Sequence, residues 1–229
     1  MSKNVVLIAG TVVEQQRANG TWARVPRITA LGSMGEQSAP KEKTAIEDTE
    51  KVYDSGMRDA PDKNLQGQFV PPQKPGAEYE LDRALQQEFI TRCRAEEEFR
   101  LRVTYPDLER ATVSFKSLGY EVNDGSQEDW KIFTVNGKQN SRPVWTTAPE
   151  MTAVLVSGLS AVAVGATITV VATSVPVDAY HPPGVLFEVD DPTVATVSQS
   201  GLVTGVKAGT AVITATMHGF TSTHSVVVS

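Results

Sequence analysis

The side chains that most often do chemistry are few in this chain and poorly placed to act together. His181, His218 and His224 all lie beyond residue 150, without cysteine companions or the close spacing of a zinc site. The single cysteine, Cys93, excludes an intramolecular disulfide and suits a reducing compartment. No histidine occurs in residues 1–147 to lower its pKa, so it reads as a small apolar core residue and not a nucleophile. Ser38-Ala39-Pro40-Lys41 has Ser-x-x-Lys spacing but sits in a polar stretch instead of at a helix start. Gly32-Ser33-Met34-Gly35 lacks the Lys-Ser/Thr of a phosphate loop. Glu96, Glu97 and Glu98 are consecutive, and helix neighbours point in different directions, which suits a solvated helix end better than an acid/base pair. Asp190 and Asp191, with Glu188, offer oxygens for calcium or simply make a turn before Pro192. No nucleophile, base and orienting group can be assembled. The expectation is a non-enzyme with no catalytic, cofactor-binding or metal-binding residue.

The elements that carry these residues change character near Pro149. Residues 1–147 hold 20 basic and 22 acidic side chains, whereas residues 148–229 hold 1 basic and 5 acidic. One continuous core does not change composition so sharply, and 229 residues suffice for two domains that each bury a core. Net charges of −2 and −4 for the two parts exclude binding of nucleic acid by phosphate neutralisation. The apolar run Val5-Val6-Leu7-Ile8-Ala9 is shorter than the apolar region of a signal peptide, and no window is long enough for a membrane span.

In the first part, Val5–Gln16 and Trp22–Leu31 read as strands joined by a tight Asn19-Gly20 turn. Asn19-Gly20-Thr21 also has the form of a glycosylation sequon, but the turn chemistry accounts for it. Ser33–Lys63 is polar and mixed in charge, and reads as a long arm that becomes ordered against a neighbouring subunit, with a plain disordered loop as the alternative. Leu65–Val70 is a further strand, closed by Pro71-Pro72 and Pro75-Gly76. A helix over Tyr79–Glu97 places Leu81, Leu85, Phe89 and Cys93 on one face, acids at its start and Arg92 and Arg94 near its end. Phe99–Tyr105, Ala111–Val122 and Trp130–Lys138 follow as strands, the last two joined at Asn123-Asp124-Gly125. Val113 and Phe115 alternate with Thr112, Ser114 and Lys116, so one face is apolar and the other wet. The expected fold is a mostly antiparallel sheet with one packed helix. Trp22, Trp130 and Trp145 read as packing anchors, since they do not cluster with other aromatics.

Ser141–Glu150 reads as a linker. Eight short strands then follow, Ala153–Ser157, Ala161–Val164, Thr167–Val175, Val185–Val189, Ala195–Ser198, Leu202–Val206, Ala211–Met217 and Thr223–Val228, with Gly, Pro and Asp turns between them, which is the pattern of a β-sandwich. The stretch Asp190–Thr216 resembles the bacterial Ig-like group 2 domain. Pro192, Val194, Ala195, Val197, Gly201, Val203, Gly205, Gly209, Ala211, Ile213 and Ala215 carry the resemblance. It implies a sandwich fold for residues 151–229 and says little about function.

The whole element order is similar to that of the major tail tube proteins of lambda-like, long-flexible-tailed bacteriophages: amino-terminal strands, a long charged loop, a Pro-Gly break, one helix, more strands with a hairpin, and an appended Ig-like domain. Trp130–Pro143 resembles the last tube strand and its exit. The resemblance implies a mainly β chain, with a tube domain (β-barrel or sandwich plus one helix) over residues 1–147, a Pro-containing linker that starts near 141 and ends at 148–150, and an Ig-like domain at 151–229. It implies hexameric rings stacked into a tube in the virion tail, assembled in the host cytoplasm. DNA passes through the lumen without specific binding, and tape-measure and terminator proteins are partners. The outer domain is left weak, multivalent contact with host-surface glycans. Ser33–Lys63 is expected to mediate stacking, and the strand edges around Val5–Gln16 and Trp130–Lys138 the contacts within a ring. A wall that lets DNA slide avoids unpaired cations, which makes Lys116 a test of which face is inward. The alternatives are a bacterial surface adhesin or glycan-binding module, and a secretion-type injection tube protein.

Overall fold

A computed structural model describes residues 9–35, 37–42, 50, 53–59, 62–70, 80–123, 131–182 and 184–229. Among the described residues the chain is mainly β with one helix. Ten strands precede residue 150: β1 Val12–Gln16, β2 Trp22–Arg24, β3 Ile28–Ala30, β4 Gln37–Glu42, β5 Tyr53–Asp59, β6 Asp62–Gln68, β7 Glu98–Thr104, β8 Glu109–Asn123, β9 Ile132–Gln139 and β10 Val144–Thr147. Eight of them form one antiparallel sheet in the order β2-β1-β7-β8-β9-β6-β3, with β10 paired to β8.

Alternation sets its faces as expected. Val13, Phe99, Leu101, Val103, Val113, Phe115, Phe133 and Val135 are buried on one face, where α1, Glu80–Arg94, packs. Two glycines make room for the rings. A Cβ on Gly137 would lie 2.4 Å from the Phe115 ring, and one on Gly67 2.4 Å from that of Phe133. On the helix, Phe89, Ile90, Cys93 and the Gln86 amide are buried, whereas Leu81 is exposed and Leu85 only half-buried. The four-residue repeat from Leu81 to Cys93 turns by about 40° per step, so its first member has left the core face by the helix start. Gln86 stitches the helix to the sheet. Its Oε1 accepts from Val70 N at 2.9 Å and its Nε2 donates to Gln68 O at 2.8 Å. The helix stops at Glu96, which takes φ 52, with Glu97 N donating to Arg92 O at 3.1 Å.

Four expectations need correction. Trp22–Leu31 is not one straight strand: Pro26 lacks an N–H and Arg27 takes φ 58, so the chain corners between β2 and β3. This corner carries it from one end of the sheet to the other, since Val25 N donates to Val13 O and Gln68 N to Arg27 O. The sheet therefore curls into a sandwich-like form without closing as a barrel. The arm Ser33–Lys63 contains β4 and β5, which pair antiparallel with each other alone among the described residues, and its end belongs to β6. A ribbon held by its own backbone ladder needs no apolar face, so hydropathy does not reveal it. Ser141–Glu150 is not a free linker, because β10 pairs with β8 (Trp145↔Ala111, Thr147↔Glu109) and Ala148 is buried. The edges chosen for assembly are interior strands: β1 lies between β2 and β7, and β9 between β8 and β6. The beginning of the first expected strand, the Pro71–Gly76 break, the tip of the β8–β9 hairpin and Trp130 lie outside the described residues.

The last part is a sandwich with each expected strand present: β11 Ala153–Gly158, β12 Ala161–Val162, β13 Thr167–Val175, β14 Leu186–Val189, β15 Ala195–Val197, β16 Leu202–Gly205, β17 Gly209–Met217 and β18 Phe220–Val228. Two four-stranded sheets, β11-β13-β16-β15 and β12-β18-β17-β14, enclose Val156, Val170, Phe187, Ala195, Val203, Ala211, Ile213, Ala215 and Val226. Gly201 takes φ 79, and a Cβ there would lie 2.2 Å from Val170 O.

Candidate functional site

The residues singled out for chemistry stay apart. His181 Nδ1 is 3.3 Å from Pro182 O, His218 meets the Tyr180 ring edge-on, and His224 Nε2 is 3.3 Å from Leu159 O. Cys93 is 1% exposed, and burial pushes its thiol up to about 12. Glu97 accepts from Arg92, and Glu98 accepts from Ser114 Oγ at 2.6 Å. The Ser114 hydroxyl, then Asn140, holds the Glu98 carboxyl below its ordinary pKa. Asp190 accepts from Val212 N and Asp191 from Thr193 N and Oγ1, so the pair caps a turn. Among the described residues no group of three His, Cys, Asp or Glu could hold a metal ion. Ser38 and Lys41 fall on β4, and Gly32–Gly35 on its approach. Lys116 lies across from Glu98 in the β7–β8 ladder, and its Nζ donates to Glu96 O.

What the structure leaves unfinished is backbone. β10 bonds to β8 on one side, and all four of its residues are exposed, Val144 at 55% and Trp145 at 45%. Trp145 is thus not an anchor within this chain, whereas half-buried Trp22 stacks against Arg102. The end of β8 runs past the start of β7, leaving one side of residues 118–123 without a ladder partner among the described residues, with Leu118 and Val122 exposed. Among the described residues, the β4–β5 ribbon pairs with no other strand. Exposed strand edges with apolar side chains are templates for pairing with another chain. The root of the ribbon is secured from below by Lys63 of β6, whose buried ammonium donates to Gly32 O at 3.3 Å and to Ser33 O. Burial pulls its pKa down to about 8.

A second feature lies on the wet face of the sheet. The β1–β2, β1–β7 and β7–β8 registers put Glu14, Arg24, Arg102, Thr104 and Arg110 on that face. Arg102 and Arg110 are buried there beneath the sandwich. Asp178, in the turn closed by Ala179 N donating to Pro176 O, accepts from Arg102 Nη1 at 2.5 Å and Arg110 Nη1 at 2.6 Å. Burial lowers the Arg102 pKa, and Glu14 and Asp178 raise it by more. Tyr180 Oη donates to Gly10 O at 2.8 Å beside them. Sequence reasoning singled out neither arginine. One signal was available: Asp178 is the single charged residue between Glu150 and Glu188.

Residues 150–228 match the family model of the bacterial Ig-like domain (group 2). No curated protein matches the chain. Structurally similar chains occur in phage-like tails and contractile injection systems. One is in the tail of an empty gene transfer agent particle refined with C6 symmetry, with TM-score 0.47 and 12% identity over 60% of this chain and 96% of that one. Another is in the sheath–tube complex of an extracellular contractile injection system in the extended state, with TM-score 0.46 and 9% identity over 63% and 93%. A third is in the anti-feeding prophage baseplate, with TM-score 0.46 and 10% identity over 64% and 98%.

Proposed function

We propose that the chain is a structural subunit of a phage-type tail tube, in which residues 1–147 assemble with copies of themselves into stacked rings and the Ig-like domain at 151–229 faces outward. The observation that carries the reading is the set of strand margins without a ladder partner among the described residues: β10, the end of β8 and the β4–β5 ribbon. A monomer with such edges recruits another chain, and a closed ring of copies removes them. The margins differ from those chosen on sequence, but the physical argument is the same. Hexameric symmetry, passage of DNA and contact with tape-measure and terminator proteins belong to this proposal. The electrostatics are compatible with it, since Lys116 has Glu98 as an acidic neighbour and the chain is net negative. Among the described residues no helix is long and apolar enough to cross a membrane.

Negative-stain microscopy of the concentrated full chain tests the proposal, with rings or hollow tubes expected. Trp145→Lys on the exposed strand β10 leaves the monomer's Tm nearly unchanged and reduces polymer formation. Replacing residues 37–59 with a short turn leaves rings and shortens stacks. A chain that stays a monodisperse monomer at every concentration overturns the reading.

A further inference from the structure

We infer that Arg102 and Arg110 form an oxyanion-binding site on the wet face of the first sheet, and that the Asp178 carboxylate occupies it in cis as a latch that docks the Ig-like domain. The inference does not rest on the tube reading. The two cations belong to the sheet and are fixed without Asp178. Arg102 donates through Nε to Glu14 at 2.7 Å and lies over the Trp22 ring at 4.5 Å. Arg110 donates through Nε to Thr104 Oγ1 at 3.0 Å. Their side chains are 9% and 8% exposed, whereas that of Asp178 is 52% exposed. The carboxylate is therefore the removable part of an otherwise prearranged site.

Its two oxygens are divided between the guanidinium groups, and its backbone carbonyl takes a third bond from Arg110 Nη2 at 2.9 Å. Two convergent guanidinium groups that share one acceptor suit a tetrahedral phosphate as well as a planar carboxylate. With Asp178 in place two arginines face two carboxylates, and the cluster is neutral. Without it only Glu14 opposes them, leaving one uncompensated buried cation. That cation opens onto a cleft of about 870 Å³ between the sheet and the sandwich, roomy enough for a small anion. The ligand class is a phosphate-type oxyanion, held by the same groups that hold Asp178.

The test is chemical rescue in the full chain. Asp178→Ala is expected to lower Tm by about 5 °C or more and to enlarge the radius of gyration in small-angle scattering as the Ig-like domain leaves its dock. Inorganic phosphate is expected to restore most of the lost Tm along a saturating curve, beyond sodium chloride at matched ionic strength. The triple variant Asp178→Ala/Arg102→Met/Arg110→Met is expected to show no such rescue. Should the alanine variant be insoluble, Asp178→Asn keeps the shape of the turn, removes the charge and gives the same readout. Phosphate no more effective than chloride, or rescue that persists without the two arginines, overturns the site. An unchanged radius of gyration in the Asp178 variant overturns the latch.

Discussion

Replacing Lys63 with methionine should make the monomer more stable at neutral pH, and the gain should disappear in alkali. Lys63 is 0% exposed on β6, and its bonds go to Gly32 O, Ser33 O and Met34 Sδ. No carboxylate is among these partners, and burial lowers the pKa from 10.5 to about 8. That gap corresponds to about 3 kcal/mol. The sign follows from proton counts. Between pH 8 and 10.5 the unfolded chain binds a proton at this lysine that the folded chain has released, so stability rises with pH across that window. Cys93 acts the other way: its thiol moves from 9.0 up to about 12, so above pH 9 the unfolded chain loses a proton that the folded chain keeps. Comparing wild type with Lys63→Met cancels the cysteine and isolates the lysine. Urea unfolding at pH 7, 8, 9, 10 and 10.5 is the assay. Methionine is expected to be ahead by about 1–3 kcal/mol at pH 7, because it fills similar volume without a charge. The difference should then move by about 3 kcal/mol toward wild type by pH 10.5. A difference that stays constant from pH 7 to 10.5 refutes the reasoning. The same variant frees the root of the β4–β5 ribbon, so on the proposed function it should stack less well despite its greater stability.

Gly137→Ala should cost about 1–3 kcal/mol in thermal unfolding, because the new methyl would lie 2.4 Å from the Phe115 ring and 2.6 Å from Lys116 O. A neutral result would mean that β8 and β9 can separate freely at that point. Cys93, buried and with its pKa raised to about 12, should resist a thiol-reactive dye in the native state and react only on unfolding. Glu88→Gln should cost under about 1 kcal/mol at pH 7, since the Arg17–Glu88 pair is partly exposed. Its hydrogen bond from Arg17 lowers the Glu88 pKa below 4.5, so the wild-type advantage should fade as pH falls through that lowered value.

Period-two alternation made Val113 and Phe115 legible as core and Lys116 as wet, and the structure keeps each of them so. The glycine and valine spacing of residues 192–215 made the sandwich legible down to individual strands, because there the turn chemistry and the apolar pattern agree. The helix was legible in extent, but not in its buried amide: Gln86 is polar, and only its bonds to Val70 and Gln68 explain why it lies inside. The β4–β5 ribbon was hidden because backbone pairing leaves no mark on hydropathy. β10 was hidden because a Pro-flanked four-residue run looks the same as a tether until β8 supplies its partner.

The sequence by itself determined which residues alternate, where composition changes and that the second part is Ig-like. Only the tertiary structure decided which strand margins remain open, that Lys63 is caged, and that Asp178 meets Arg102 and Arg110. Alternation assigns a residue to a face of a strand but never names the neighbouring strand. That choice depends on how the sheet curls and which distant segments close upon each other, and Asp178 reaches its partners across 76 and 68 residues of chain.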